Sequence, residues 1–208
     1  MESENSRVKA IDSLVSVYIK TGLLDDAKEA VKLGASQKAI DSLVSDYIKT
    51  GQLDDALKAA ELNKRKLTVK EIDSLISICI KTGRLNSATE AVKLNGRKLT
   101  VKEVDSLVFA CIKKGQINSA TEAAKLNGRD LTAKEVDSFI FICIKKERLG
   151  DVLRAVKLGA SQKAIDSLVS DYIKRGQLNN AKETAKLSGR DLTVKEIKKL
   201  TVFLSKNS

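Results

Sequence analysis

Apolar residues recur at helical spacing along this chain, and the pattern itself returns at a fixed interval. The stretch 67–96 (LTVKEIDSLISICIKTGRLNSATEAVKLNG) shows it most completely. Residues three and four positions apart share one face of a helix, so the apolar positions of this stretch predict a helix with one buried side. That predicted face consists of Val69, Ile72, Leu75, Ile76 and Cys79.

Local start and stop signals bound two helices in this stretch. Thr68 is followed three residues later by Glu71, which predicts a capping box and a helix start at Thr68. Gly83 predicts the end of that helix, because glycine readily adopts the left-handed conformation. Asn86 is the predicted N-cap of a second, shorter helix. Its close-packing face is predicted to be Ala88, Ala91 and Val92.

The whole chain is built from this helical hairpin. A central aspartate marks each copy, with spacings of 29, 32, 32, 32 and 29 residues, and a final half copy, LTVKEIKKLTVFL, carries Lys198 at that position. A fixed period of this length is typical of stacked helical repeats. We therefore predict an all-α, right-handed α-solenoid in one domain spanning residues 1–208. Its predicted parts are repeats 7–35, 36–67, 68–99, 100–131, 132–160 and 161–192 and a capping helix at 193–205, thirteen helices in all.

Two connections between repeats are three residues shorter than the others. They read LGASQKAID where the long ones read, for example, LNGRKLTVKEID, and Ser36 and Ser161 are the predicted N-caps there. Segments 32–49 and 157–174 are identical in sequence, so their interfaces should be nearly superimposable. In the fifth repeat Glu147 replaces the glycine that ends the first helix, which predicts an irregular turn.

Cys79, Cys111 and Cys143 occupy one repeat position, where the other repeats carry Tyr18, Tyr47 and Tyr172. Equivalent residues of stacked helices lie roughly 10 Å apart, whereas a disulfide needs Cα atoms within about 7 Å. We therefore expect reduced cysteines that pack inward.

Composition narrows the function classes. Formal net charge is +11, which favours anionic partners, and the chain lacks both proline and histidine. Histidine is the commonest general base, and no phosphate-loop glycine pattern, CxxC pair or nucleophile–base pair is present, so we expect no enzymatic activity. One aspartate per repeat at about 10 Å spacing would not converge on a metal ion, and we expect no metal or other cofactor.

The N-terminal stretch lacks an apolar secretory core and no run is long enough to span a membrane, so we expect a soluble, cytoplasmic monomer.

Opposite the apolar face, every first helix carries exposed positions that we call the polar stripe: lysine, aspartate, serine and lysine at the positions of Lys70, Asp73, Ser77 and Lys81. The aspartates are Asp12, Asp41, Asp73, Asp105, Asp137 and Asp166. The lysines before them are Lys9, Lys38, Lys70, Lys102, Lys134 and Lys163. The lysines after them are Lys20, Lys49, Lys81, Lys113, Lys145 and Lys174.

Two interpretations of the polar stripe stay open. It is either a solvated face with lysine–aspartate pairs inside each helix or a surface that binds a polyanion. The earlier lysine favours the second interpretation, since it lies in the first turn, where the helix dipole disfavours a cation. Arg97, Arg129 and Arg190, which lie in connections between repeats, form a further basic edge that solvation alone would explain.

Two aromatic residues interrupt the polar stripe. Serine follows the aspartate by four residues in four repeats, but Phe109 and Phe141 stand there in the fourth and fifth. Exposed aromatics among lysines suit base stacking or a hydrophobic anchor for a peptide. The alternative is that both rings pack against neighbouring helices.

The segment 73–88 (DSLISICIKTGRLNSA) resembles the pentatricopeptide repeat, with a short polar residue, an apolar pair, a K-x-G-x-L turn and alanine in the second helix. The tetratricopeptide repeat shares the turn and the alanine. The resemblance extends over the six hairpins and implies a groove of first helices that binds single-stranded RNA. It also implies base-reading positions, which in this sequence are Asp41, Asp73, Asp105, Asp137 and Asp166, with Ser36, Thr68, Thr100, Thr132 and Ser161.

Three hypotheses for function follow from these patterns. The first is a non-enzymatic binder of single-stranded RNA, in which lysines follow phosphates and Phe109 and Phe141 stack on bases. The second is a protein-interaction scaffold that holds an acidic or amphipathic segment on the same face. The third is an engineered or idealised repeat scaffold without a ligand.

Overall fold

The computed structural model describes residues 2–146 and 152–206, and within them the chain forms thirteen α-helices and no strand. This confirms the predicted all-α fold class and, for these residues, the helix count. The helices are α1 (Glu2–Thr21), α2 (Leu24–Lys32), α3 (Gln37–Thr50), α4 (Leu53–Leu62), α5 (Val69–Lys81), α6 (Leu85–Leu94), α7 (Val101–Lys114), α8 (Ile117–Lys125), α9 (Ala133–Lys145), α10 (Val152–Lys157), α11 (Gln162–Lys174), α12 (Leu178–Leu187) and α13 (Val194–Lys206).

Consecutive helices pack as hairpins, such as α3 with α4 and α5 with α6, in the manner of an α-solenoid of repeats. The predicted stop at Gly83 is confirmed, since this residue has a φ of 61° and its N–H donates to the Ile80 carbonyl. The irregular turn expected at Glu147 lies outside the described residues.

The chain forms two compact halves, residues 1–107 and 108–208, and α7 contributes residues to both. In the N-terminal half the first helices α1, α3 and α5 pack side by side. In the C-terminal half α11 packs against both α9 and α13. Each half buries the apolar faces of its own helices, and Leu43, Leu75 and Leu168 are inaccessible to solvent.

Each connection between hairpins ends in a residue that starts the next helix, as predicted. Thr68 and Thr132 form complete capping boxes with Glu71 and Glu135, and Ser36 and Ser161 cap the helices that follow the short connections. Thr100 and Thr193 exchange the same pair of bonds with the glutamates three residues later. Each of these six helix starts therefore has a side-chain cap supplied by local sequence.

Two local predictions are wrong. Val69 is 66% exposed, because side chains of a first turn tilt toward the helix N-terminus and so point past the packed part of α5. Asn86 is not an N-cap, since α6 already begins at Leu85 with Arg84 as its cap residue. The Arg84 side chain is used elsewhere, with Nη1 donating to the Gly51 carbonyl at 2.7 Å.

The cysteines, Tyr47 and Tyr172 at the shared repeat position are buried, whereas Tyr18 is half-buried. Cys79, Cys111 and Cys143 are buried and free, as predicted. Burial raises the pKa of the Cys79 and Cys111 thiols. Tyr47 is fully buried too, and its hydroxyl donates to the Leu24 carbonyl at 2.9 Å.

Candidate binding surface on the first helices

The aspartates of the polar stripe hold the connection that leads to the next hairpin. At the short connections, Asp12 accepts a hydrogen bond from the Ser36 N–H and Asp137 accepts one from the Ser161 N–H, each at 2.8 Å. The carboxylate therefore binds the backbone of the next helix cap.

At the long connections the same position accepts bonds from side chains. Asn63 Nδ2 donates to Asp41 at 2.9 Å, and Arg65 donates to it through Nε and Nη2 at 3.0 and 2.8 Å. Asn95 donates to Asp73 at 2.8 Å. Asp105 also takes part in a polar or electrostatic interaction.

Asp166 follows the pattern of the long connections. Arg190 Nη2 donates to it at 2.8 Å, and the bonds from Arg190 and then Gln162 lower the pKa of this carboxyl. The proposed pairing of aspartates with lysines of their own helix is not what these contacts show. Among the aspartates whose contacts are described above, the partners come from the connection or, for Gln162, from the same helix.

The arginine of each long connection binds the capping-box glutamate of the next helix, and Arg65 also binds the preceding hairpin. Arg65 Nη1 and Nη2 donate to Glu71, both at 2.9 Å, while the same guanidinium binds Asp41. Arg97 and Arg129 bind Glu103 and Glu135 in the same forked geometry. Forked arginine–carboxylate pairs are among the stronger hydrogen-bonded pairs, so this arginine orders the connection.

Sequence reasoning missed this role of the arginines, although a signal was present. In every long connection an arginine stands three residues before the capping threonine and six before the capping-box glutamate. The short connections lack both: Ala39 and Ala164 stand where the glutamate would be. The two residue types are present together or absent together, which marks them as partners.

The lysines of the polar stripe remain on the surface. Lys38, Lys70, Lys102, Lys134 and Lys163 are all exposed in the first turns of their helices. Lys49, Lys81, Lys113, Lys145 and Lys174 are exposed in the last turns. Lys49 lies 3.6 Å from Asp46, and the lysine side chain of this pair is 72% exposed. Such pairs are worth little, so these ammonium groups are available to an anion.

Shallow clefts bring members of the polar stripe together within each half. In the N-terminal half a cleft of about 670 Å³ beside α3 is lined by Lys38, Asp41, Ser45 and Lys49. A second, of about 600 Å³, includes Asp73, Ser77 and Lys81 of α5 and Lys102 of α7. In the C-terminal half a cleft of about 600 Å³ is lined by Lys163, Asp166, Ser170 and Lys174 of α11.

Phe109 and Phe141 are exposed, at 65% and 41% of their surface. They occupy equivalent positions on α7 and α9 in the C-terminal half, where Lys146 Nζ donates to the Lys113 carbonyl at 3.3 Å. Both rings therefore lie on helices whose ends touch. Phe109 is therefore mostly open to solvent, whereas more than half of the Phe141 side chain is covered.

Each phenylalanine shares its helix face with two lysines. Residues four and seven positions apart lie on one side of a helix, which places Lys134, Phe141 and Lys145 along one line of α9. Lys102, Phe109 and Lys113 are related in the same way along α7. Each ring therefore lies between two ammonium groups of its own helix.

Within the part of the chain that the structure describes, no group of three or more cysteine, aspartate and glutamate residues is arranged to hold a metal ion. No helix among the described residues is long and apolar enough to cross a membrane. In comparisons with known proteins, the chain matches no family model and no curated sequence.

Proposed function

We propose that the chain is a non-enzymatic binder of single-stranded RNA and that the first helices provide the binding face. The observation that carries the proposal is the exposure of Phe109 and Phe141 between lysines of the same helix face. In this proposal the lysines bind phosphates and the two rings stack on bases. A net charge of +11 adds long-range attraction for a polyanion.

The proposal does not include reading of base sequence by the polar stripe. The positions that the pentatricopeptide resemblance would assign to base reading already accept hydrogen bonds from the protein: Asp41 and Asp73 from the connections, Thr68 and Ser36 from their own helices. We therefore expect binding with weak preference among sequences, since stacking accepts any base.

The first experiment measures affinity and its salt dependence. Fluorescence anisotropy of labelled twelve-nucleotide oligo-U and of a mixed-sequence RNA would be recorded at two or more salt concentrations. Log K should fall linearly with log salt, and each phosphate contact removed should lower the slope by about 0.7. Lys134→Gln with Lys145→Gln tests this directly, because both lysines flank Phe141.

The stacking role has a matched variant within the chain. Phe109→Ser with Phe141→Ser installs the residue that Ser45 and Ser77 supply at the same position, so the fold should be retained. Loss of base stacking should cost about 1–3 kcal/mol per base. Leu126→Ser, which removes a half-exposed apolar side chain after α8, serves as the control.

Absence of RNA binding at low salt would overturn the proposal. An acidic amphipathic peptide is the alternative ligand, and it would replace RNA if it bound with the same dependence on Phe109 and Phe141. Equal RNA affinities for the serine double variant and the parent would remove the two rings from the binding site.

A further inference from the structure

The cleft between α11 and α13 differs from its counterparts in charge. It has a volume of about 630 Å³, and its walls include Ser170 and Lys174 of α11 and Lys195, Lys199 and Val202 of α13. Lys195 and Lys199 are four residues apart and so lie side by side on α13. Lys174 faces them from the last turn of α11, so three ammonium groups border one cavity.

The equivalent cleft between α5 and α7 provides a comparison within the same molecule. Lys81 and Lys102 correspond to Lys174 and Lys195, but Ser106 stands where the last cleft has Lys199. Beside it, Asp105 of α7 is replaced by Lys198 in α13. One neutral and one acidic position of the repeat have thus both become basic at α13.

The carboxylate that lines the same cleft does not neutralise these lysines. Burial raises the pKa of Glu196, but the bonds from Arg190 and Thr193 outweigh it and hold the pKa at about 2. Arg190 donates to Glu196 from Nη1 and Nη2 at 3.0 and 3.1 Å. Arg190 is shared between Glu196 and Asp166, so these three groups together carry one negative charge, against the three positive charges of the lysines.

A second groove on α13 shares Lys195, Lys199 and Val202 with this cleft. It has a volume of about 620 Å³ and is lined by Val194, Lys195, Lys198, Lys199 and Val202. Val194 and Val202 are 70% and 52% exposed. Apolar surface next to clustered ammonium groups suits a ligand that carries both an anionic group and a ring.

We propose that the cleft between α11 and α13 is a binding site for a phosphate monoester, held by Lys174, Lys195 and Lys199. A monoester carries close to two negative charges at neutral pH and offers three acceptor oxygens, which matches three ammonium donors better than the single charge of an internal phosphodiester does. The monoester belongs either to the end of a nucleic acid strand or to a free nucleotide. Lys174 also belongs to the polar stripe, but the site does not require Phe109 or Phe141 and so stands without the RNA proposal.

Inorganic phosphate is the probe that tests the site without any polymer. Backbone amide shifts of the isotopically labelled full chain would be followed by NMR during a phosphate titration at pH 8 and constant ionic strength. We expect saturable shifts in α13 and the last turn of α11. Lys199→Ser, which restores the residue of Ser106, should weaken binding about fivefold, as expected for loss of one close charge contact.

The matched control is Lys182→Ser, which removes an exposed lysine from α12 by the same substitution. Lys198→Asp combined with Lys199→Ser restores both residues found in α7 and should abolish saturable binding. Shifts spread over the lysines of all first helices would overturn the proposal. Equal affinities of the Lys199→Ser and Lys182→Ser variants would overturn it as well.

Two further titrations identify the source of the phosphate. Tighter binding of 5′-phosphorylated than of 5′-hydroxyl oligo-U, lost in Lys199→Ser, assigns the site to a strand end. Saturable binding of uridine 5′-monophosphate with no difference between the oligonucleotides assigns it to a free nucleotide. Failure of the phosphate titration would leave the dependence of RNA binding on Phe109 and Phe141 untouched, so the two proposals fail separately.

Discussion

Arg65 donates hydrogen bonds to Asp41 through Nε and Nη2, and to Glu71 through Nη1 and Nη2. Asp41 belongs to α3 and Glu71 to α5, so one side chain joins two successive hairpins. Arg65 and Glu71 keep only 26% and 25% of their side-chain surface exposed. This partial burial makes the contact stronger than an exposed ion pair.

Replacement of Arg65 by methionine should destabilise the fold by about 2 kcal/mol, because two carboxylates lose a charged donor. Urea unfolding at pH 7 measures the change. Lys66→Met is the control, since the Lys66 side chain is exposed. This substitution keeps the backbone carbonyl that accepts a hydrogen bond from Arg65. Equal stabilities of the two variants would show that the arginine bridge contributes nothing.

Lys64 is held in a left-handed conformation, with a φ of 51°, at a position where other long connections have glycine. A non-glycine residue in this conformation is strained by roughly 1–2 kcal/mol. Glycine removes this strain, but it also makes the unfolded chain more flexible, which offsets part of the gain in stability. Lys64→Gly should therefore stabilise the chain by about 0.5–1 kcal/mol in thermal or urea unfolding.

The reverse substitution, Gly96→Lys, should destabilise the chain by a similar amount. Gly96 has a φ of 64° and a Cβ there would meet nothing within 4 Å, so the backbone alone is tested. A stability gain from this substitution would contradict the argument for both positions.

Stability should fall in acid as the capping-box glutamates become protonated. The hydrogen bond from Arg97 is the largest influence on Glu103 and, with those from Thr100, lowers its pKa from 4.5 to about 2. A carboxyl whose pKa is lower in the folded state contributes its full stabilisation above pH 4.5 and loses it as the pH falls toward 2.

Glu103→Gln keeps a residue that can complete the capping box but removes the charge. Its free energy of unfolding should therefore decline less between pH 6 and pH 3 than that of the parent chain, as measured by urea unfolding across this range. Glu90→Gln, in an exposed position of α6, is the control and should follow the parent profile. If the free energy of unfolding fell equally with pH in the Glu103→Gln variant and the parent, protonation of Glu103 would not be a cause of the acid sensitivity.

If the exposed phenylalanines stack on bases, a third one should add affinity. Ser77→Phe introduces a ring into the cleft beside Lys81 and Lys102, at the position that Phe109 and Phe141 occupy on their helices. We expect RNA binding to tighten by about 1 kcal/mol or more. Asn86→Phe, an exposed site on the second helix α6, should leave the affinity unchanged.

The sequence was sufficient for those features that depend on nearby residues. The capping box of Thr68 and Glu71 spans four residues, and the glycine stop at Gly83 depends on one, so both were predictable. Helical periodicity placed Phe109 on the polar face but left open whether its ring packs against a neighbouring helix; the ring is exposed.

The roles that depend on a neighbouring repeat were not predictable in this way. Asp41 lies 24 residues from Arg65, and a helical wheel shows only that the aspartate faces outward. Its function as an acceptor for the next connection requires the stacked hairpins. Val69 was misplaced for a related reason, because a wheel does not show where along the helix axis packing stops.

The same aspartate position accepts two kinds of connection: the backbone of a serine cap at Asp12 and Asp137, and amide or guanidinium donors at Asp41 and Asp166. One carboxylate position therefore accepts hydrogen bonds from either the short or the long connection. Connector length is thereby uncoupled from the hairpin, and a gene encoding such an array can gain or lose three codons between hairpins without redesign of either helix. Short and long modules become interchangeable parts, which allows an array to be extended or shuffled one hairpin at a time.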